Sequence, residues 1–128
     1  TWALPTLSIL LTNRADLDPM PIAQSMAGIG EAATPQLVSA LNHPSASVRR
    51  ASLIGLIDLG KKACDAMPFV MKRLNDSDAE VRGLAVFFVS EVAEEREVKL
   101  RVLKEASHDS DRSVRSFAEK ELSTLGLK

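Results

Sequence analysis

Tyrosine is absent from this chain, and tryptophan and cysteine occur once each. A lone Cys64 excludes an internal disulfide and a zinc site built on a cysteine pair. It leaves the redox compartment open and fits a reducing, cytoplasmic setting slightly better. Charge of one sign is also missing: 16 Lys and Arg stand against 17 Asp and Glu, for a net charge of −1 and a pI of about 6.1. With no global basic field, neither nucleic acid nor an anionic membrane is an expected partner. No apolar run approaches the roughly 18 residues of a membrane span. The nearest, Leu4 to Leu11, contains Pro5, and no basic residue precedes it as a signal peptide would require. No alternating apolar and polar run has strand length.

The usual signatures of catalysis and of metal or cofactor binding are missing as well. His43 and His108 fall in separate interhelix turns, and there is no HExxH. No glycine-rich loop follows a strand. Cys64, near a helix start but with no histidine close in sequence, reads as an inert thiol. The expectation is a non-enzymatic protein with no metal and no cofactor.

What the chain does have is a beat. Val48-Arg49, Val81-Arg82 and Val114-Arg115 recur at 33-residue intervals, each preceded by a polar turn: Asn42 to Ser45, Asn75 to Asp78, His108 to Asp111. A period of this size means stacked supersecondary units. With 128 residues, 45% hydrophobic and 26% charged, the composition suits one globular domain. Every stretch between turn signals reads as a helix, pairing about 4–12 with 19–29, 32–42 with 46–59, 64–74 with 79–93, and 97–107 with 112–125. The runs Asn75-Asp76-Ser77-Asp78 and Asp109-Ser110-Asp111 offer N-cap oxygens, and Gly60 and Gly126 sit where a helix C-cap wants a left-handed residue.

These residues resemble the HEAT-repeat family, particularly its short bacterial-type repeats, among them those of phycobilin-lyase-like proteins. The family pattern places Pro in a first helix, Asp in the turn and Arg in the second helix. Pro68, Asp76 and Arg82 match all three. Pro35 and Arg49 match with His43 in place of Asp; Asp109 and Arg115 match with Arg101 in place of Pro. The first repeat keeps Pro5 but carries Asn13 and Pro19. The resemblance implies an all-α, right-handed α-α superhelix of about four antiparallel helix pairs. Residues 1–128 form one domain with repeats at about 1–30, 31–62, 63–95 and 96–128. Because the chain begins with Thr1, it reads as part of a longer protein. The resemblance also implies a ladder along the turns built by Arg49, Asp76, Arg82, Asp109 and Arg115, a job suited to the planar fork of arginine. Nothing here specifically indicates a pigment pocket. The basic, aromatic groove of HEAT-like DNA glycosylases has no counterpart.

Helical register separates core from face. Expected in the core are Val48, Ser52, Leu53, Gly55, Leu56 and Leu59; Val81, Ala85, Val86, Phe88, Val89 and Val92; Val114, Ala118, Leu122 and Leu125. First helices add Leu37, Val38, Leu41, Phe69, Val70, Leu74, Leu100 and Leu103. The second helices leave three rows open on the expected concave face: Ala51, Leu84, Phe117; Ile54, Phe87, Lys120; Asp58, Glu91, Thr124. Arg50 and Arg112 flank them. The expectation is a groove with an apolar floor (Ile54, Leu84, Phe87, Phe117) and an acidic edge (Asp58, Glu91) that binds a protein partner. The competing reading has curvature burying these side chains. The first helix is apolar nearly all round, with Trp2 at its edge, which allows stacking or self-association there. A small-molecule enzyme or lyase and a structural spacer remain the alternatives.

Overall fold

Apolar residues at helical spacing and capped turns build a chain of helices. The computed structural model describes residues 3–126; Trp2 lies outside them. Among the described residues there are eight α-helices and no strand: α1 (Ala3–Asn13), α2 (Pro19–Ile29), α3 (Thr34–Ala40), α4 (Ala46–Leu59), α5 (Met67–Lys72), α6 (Ala79–Val92), α7 (Arg96–Ala106) and α8 (Arg112–Thr124). Each odd helix packs on the even helix that follows. The even helices also stack on one another in order, α2 on α4, α4 on α6 and α6 on α8. The result is an all-α solenoid, with an inner layer of second helices and an outer layer of first helices.

Local chemistry sets the boundaries. The Asp18, Asp78 and Asp111 carboxylates accept the amides of Met20, Val81 and Val114 at 3.0, 3.0 and 3.1 Å, and α2, α6 and α8 begin there. Gly60, at φ +57°, ends α4, and its amide reaches the carbonyls of Leu56 and Ile57. A residue with a Cβ would be strained in that conformation.

The core runs continuously through both layers. Met26, Leu37, Leu41, Leu53, Leu56, Val70, Val81, Phe88, Val89 and Leu103 are fully enclosed. Burial of each large side chain stabilises the fold by about 1.5–3 kcal/mol. Gly55 lets α4 approach α2 and α3: a Cβ there would lie 3.1 Å from the Ala23 carbonyl oxygen and 3.1 Å from Leu37 Cδ2.

Three expectations change. The first helices of the second and third repeats are shorter than the sequence pattern suggests. Turns of 3-10 helix precede them at Glu31–Ala33 and Gly60–Ala66, and another, Arg73–Asn75, follows α5. Pro35 and Pro68 are the cause: each sits in the first turn of its α-helix, where its missing N–H and ring bulk are tolerated but an upstream α-helical turn is not. Phe69, expected in the core, is exposed. On α5 Val70 is buried and Met67 and Met71 pack on the core, and Phe69 lies about 100° beyond Val70 on the side away from them. Ala51, expected on the open face, is fully buried because α4 is flanked by both α2 and α6.

Candidate functional site

Arginine and aspartate sit one period apart along the turns, so each second helix can reach the next turn. Arg49 donates from Nε to Asp76 Oδ2 at 2.9 Å and from Nη2 to Oδ1 at 3.0 Å. Its Nη1 reaches the carbonyls of His43 at 2.8 Å and Pro44 at 2.9 Å. Arg82 repeats the arrangement with Asp109, at 3.0 Å for both bonds, and with the carbonyls of Asp76 and Ser77 at 2.9 and 3.3 Å. Arg115 makes the carbonyl contacts, to Asp109 at 2.8 Å and Ser110 at 2.9 Å. Each aspartate also accepts an amide two residues on: Asp76 Oδ1 from Asp78 at 2.9 Å, Asp109 Oδ1 from Asp111 at 2.8 Å.

His43 occupies the corresponding position of the second repeat and takes over this amide bond. Its Nδ1 accepts from the Ser45 amide at 3.0 Å, which assigns the ring proton to Nε2. Nε2 lies 2.8 Å from the Thr12 carbonyl, tying the second turn to the first.

The electrostatics follow. Burial pushes the Asp76 carboxyl up, but hydrogen bonds from Arg49 and the Asp78 amide, with the charges of Arg49 and Arg73, hold it below its ordinary value. The hydrogen bond from Arg82 holds Asp109 low against the opposing effect of burial. That same bond raises Arg82. Arg49 and Asp76 are both buried, whereas the side chains of Arg82 and Asp109 are 16% and 13% exposed.

Beside this edge, the second helices enclose a trough of about 680 Å³. Met20, Ile54, Leu84, Phe87 and Phe117 supply its apolar lining from α2, α4, α6 and α8. Phe87 and Phe117 meet with ring centroids 5.6 Å apart and planes tilted by 49°. All five side chains are half-buried, so the floor is neither sealed nor fully open; Leu84 and Phe117 also pack on the core. Arg50 borders the trough, with Nη1 3.2 Å from Asp78 Oδ2, Nε 3.3 Å from Glu80 Oε2 and Nη2 3.0 Å from Ser47 Oγ.

Of the residues expected to bind a partner, Arg50, Ile54, Leu84, Phe87 and Phe117 are brought together here. Asp58, Glu91, Arg112 and Lys120 are exposed and do not line the trough. Its acidic border is formed instead by Asp78, Glu80 and Asp111, at the N-terminal ends of α6 and α8. In the sequence, Asp78 and Asp111 fall in the turn runs that offer N-cap oxygens, with no place on the concave face. Their place one period apart, next to the apolar rows, was the available signal. Met20 belongs to the least regular repeat and carried none.

Among the described residues, no three His, Cys, Asp or Glu side chains converge as metal ligands, and no helix is long and apolar enough to cross a membrane. Compared with known proteins, residues 20–123 match the family described as HEAT repeats. No curated protein matches the chain.

Proposed function

The chain belongs to the HEAT-repeat family, whose repeats generally mediate protein–protein interaction, and we propose that it is a non-enzymatic binding module holding a protein partner along the second-helix trough. The observation that carries this reading is the run of half-buried apolar side chains over four successive second helices, capped by the Phe87–Phe117 pair. Apolar surface of this kind, rimmed by charge, is what an amphipathic helix or extended segment covers on binding. The ladder supports the reading by engaging Arg49 and Arg82 in structural bonds. The test is affinity capture with the wild type beside the Leu84→Ser/Phe87→Ser double variant, checked by circular dichroism for retained helix. A partner held by the first and lost by the second supports the trough; equal capture rules it out.

A second reading, self-association through α1, is favoured by Ile9, which is 56% exposed on an apolar helix. Leu7 is half-buried and packs on the core, so Ile9→Glu is the cleaner probe. Sedimentation that depends on concentration and is abolished by Ile9→Glu supports this reading; a concentration-independent monomer removes it.

A further inference from the structure

The trough crosses three seams between second helices, and the same register builds the last two. At the α4–α6 seam a guanidinium fills the space. Arg50 lies among an aspartate (Asp78), a glutamate (Glu80) and a serine hydroxyl (Ser47), within 3.3 Å of each. One period on, at the α6–α8 seam, the position of Arg50 is held by Gly83. The surroundings persist. Asp78 is succeeded by Asp111, the place of Glu80 is taken by the Ser113 hydroxyl, and the place of Ser47 is taken by Glu80 itself. An aspartate, a glutamate and a serine therefore border this seam too, and all three line the trough with Gly83.

The space is open. A Cβ built on Gly83 would meet only Val114 Cγ2, at 3.6 Å. Asp111 uses Oδ2 to cap α8, and among the described residues it has no cation within salt-bridge distance. The trough lining holds one cation, Arg50, against three carboxylates. Leu84, Phe87 and Phe117 adjoin the open seam.

We propose that this seam is a subsite for a basic side chain, arginine above all, carried by a protein segment whose neighbouring large apolar side chains lie on Leu84, Phe87 and Phe117. The guanidinium takes the place at Gly83 that Arg50 fills one repeat earlier. It bonds to Asp111, Ser113 and Glu80. Arginine suits the set better than lysine because its planar fork addresses two oxygens at once. This assignment rests on the trough being the partner site and specifies the partner's chemistry.

The experiment is selection from a display library of random peptides on the whole chain. Synthetic copies of the enriched sequences are then titrated by fluorescence polarisation. Four variants are compared: Gly83→Ala, Gly83→Arg, Asp111→Asn and Leu84→Ser/Phe87→Ser. Asparagine keeps the helix cap, and the alanine Cβ fits the space, so Gly83→Ala should bind as wild type. Enriched peptides should carry arginine or lysine beside large apolar residues. Gly83→Arg and Asp111→Asn should each weaken them about tenfold, the scale of one charge-assisted contact. Replacing the peptide's arginine with citrulline should weaken binding to wild type but add little to the loss in Asp111→Asn. Peptides that depend on Leu84 and Phe87, yet show no basic preference and ignore Gly83→Arg and Asp111→Asn, would overturn the subsite while leaving the trough standing. Peptides indifferent to Leu84→Ser/Phe87→Ser would overturn the trough and the subsite with it.

Discussion

The turn edge and the second-helix face are built on one 33-residue register and use charge in opposite ways. At the edge, Arg49 and Asp76 face each other in a two-pronged pair, Arg49 also bonds two turn carbonyls, and both residues are buried. On the face, carboxylates of the same turns border half-buried apolar rings, and Asp111 retains capacity for another donor. Paired charges in a buried place stabilise the fold only while both remain, since either one alone is desolvated without compensation. Charges at the rim of an apolar trough, beyond the capping bonds of Asp78 and Asp111, leave interaction energy for a partner. Stability and binding should therefore be separable by mutation.

The largest effect belongs to the edge. Asp76→Ala leaves Arg49 buried without its carboxylate, and chemical denaturation should show a loss of about 3–5 kcal/mol. Asp109→Ala should cost less, because the Arg82–Asp109 pair is more exposed. A loss for Asp109→Ala equal to that for Asp76→Ala would break the link drawn here between burial and ladder energy.

Acid gives the next largest. The folded state lowers both Asp76 and Asp109. Their contribution is fully present above the ordinary carboxylate value of about 3.9 and is lost as pH falls through the folded values below it. Denaturation midpoints should drop on acidification below about pH 4, and more gently in the Asp76→Asn/Asp109→Asn variant, which starts from a lower stability.

On the face, Leu84→Ser and Phe87→Ser remove half-buried apolar area, and each should cost about 1–2 kcal/mol while the helical spectrum persists. Partner binding should nevertheless disappear. The smallest effect is expected for His43→Asp. The new carboxylate can accept the Ser45 amide but cannot donate to the Thr12 carbonyl, so denaturation should change by less than about 1 kcal/mol.

Much of this architecture was legible because it depends on local rules. The presence of caps in the runs Asn75 to Asp78 and Asp109 to Asp111, the close approach at Gly55 and the pairing of helices all follow from residue type and spacing; which aspartate caps comes from the folded geometry. Phe69 was misplaced because apolar type was taken for burial, whereas on α5 it lies about 100° beyond Val70, away from the packed side. Ala51 was misplaced because burial from two sides is a property of the stack, not of one helix. The apolar floor of the trough was visible in the register, but its acidic border was sought at Asp58 and Glu91. Those residues sit at the far ends of α4 and α6, whereas capping carboxylates at the near ends of α6 and α8 turn toward the trough.

One measurement bears most directly on the claim that the second-helix face is the working surface. A photoreactive phenylalanine analogue is placed at Ile54, in the trough, or at Phe69, exposed on the first helix α5. Both variants are irradiated in lysate from the source cells. The account predicts an adduct with the same partner protein at Ile54, absent after Leu84→Ser/Phe87→Ser, and no adduct at Phe69. An adduct at Phe69 with none at Ile54 would contradict it.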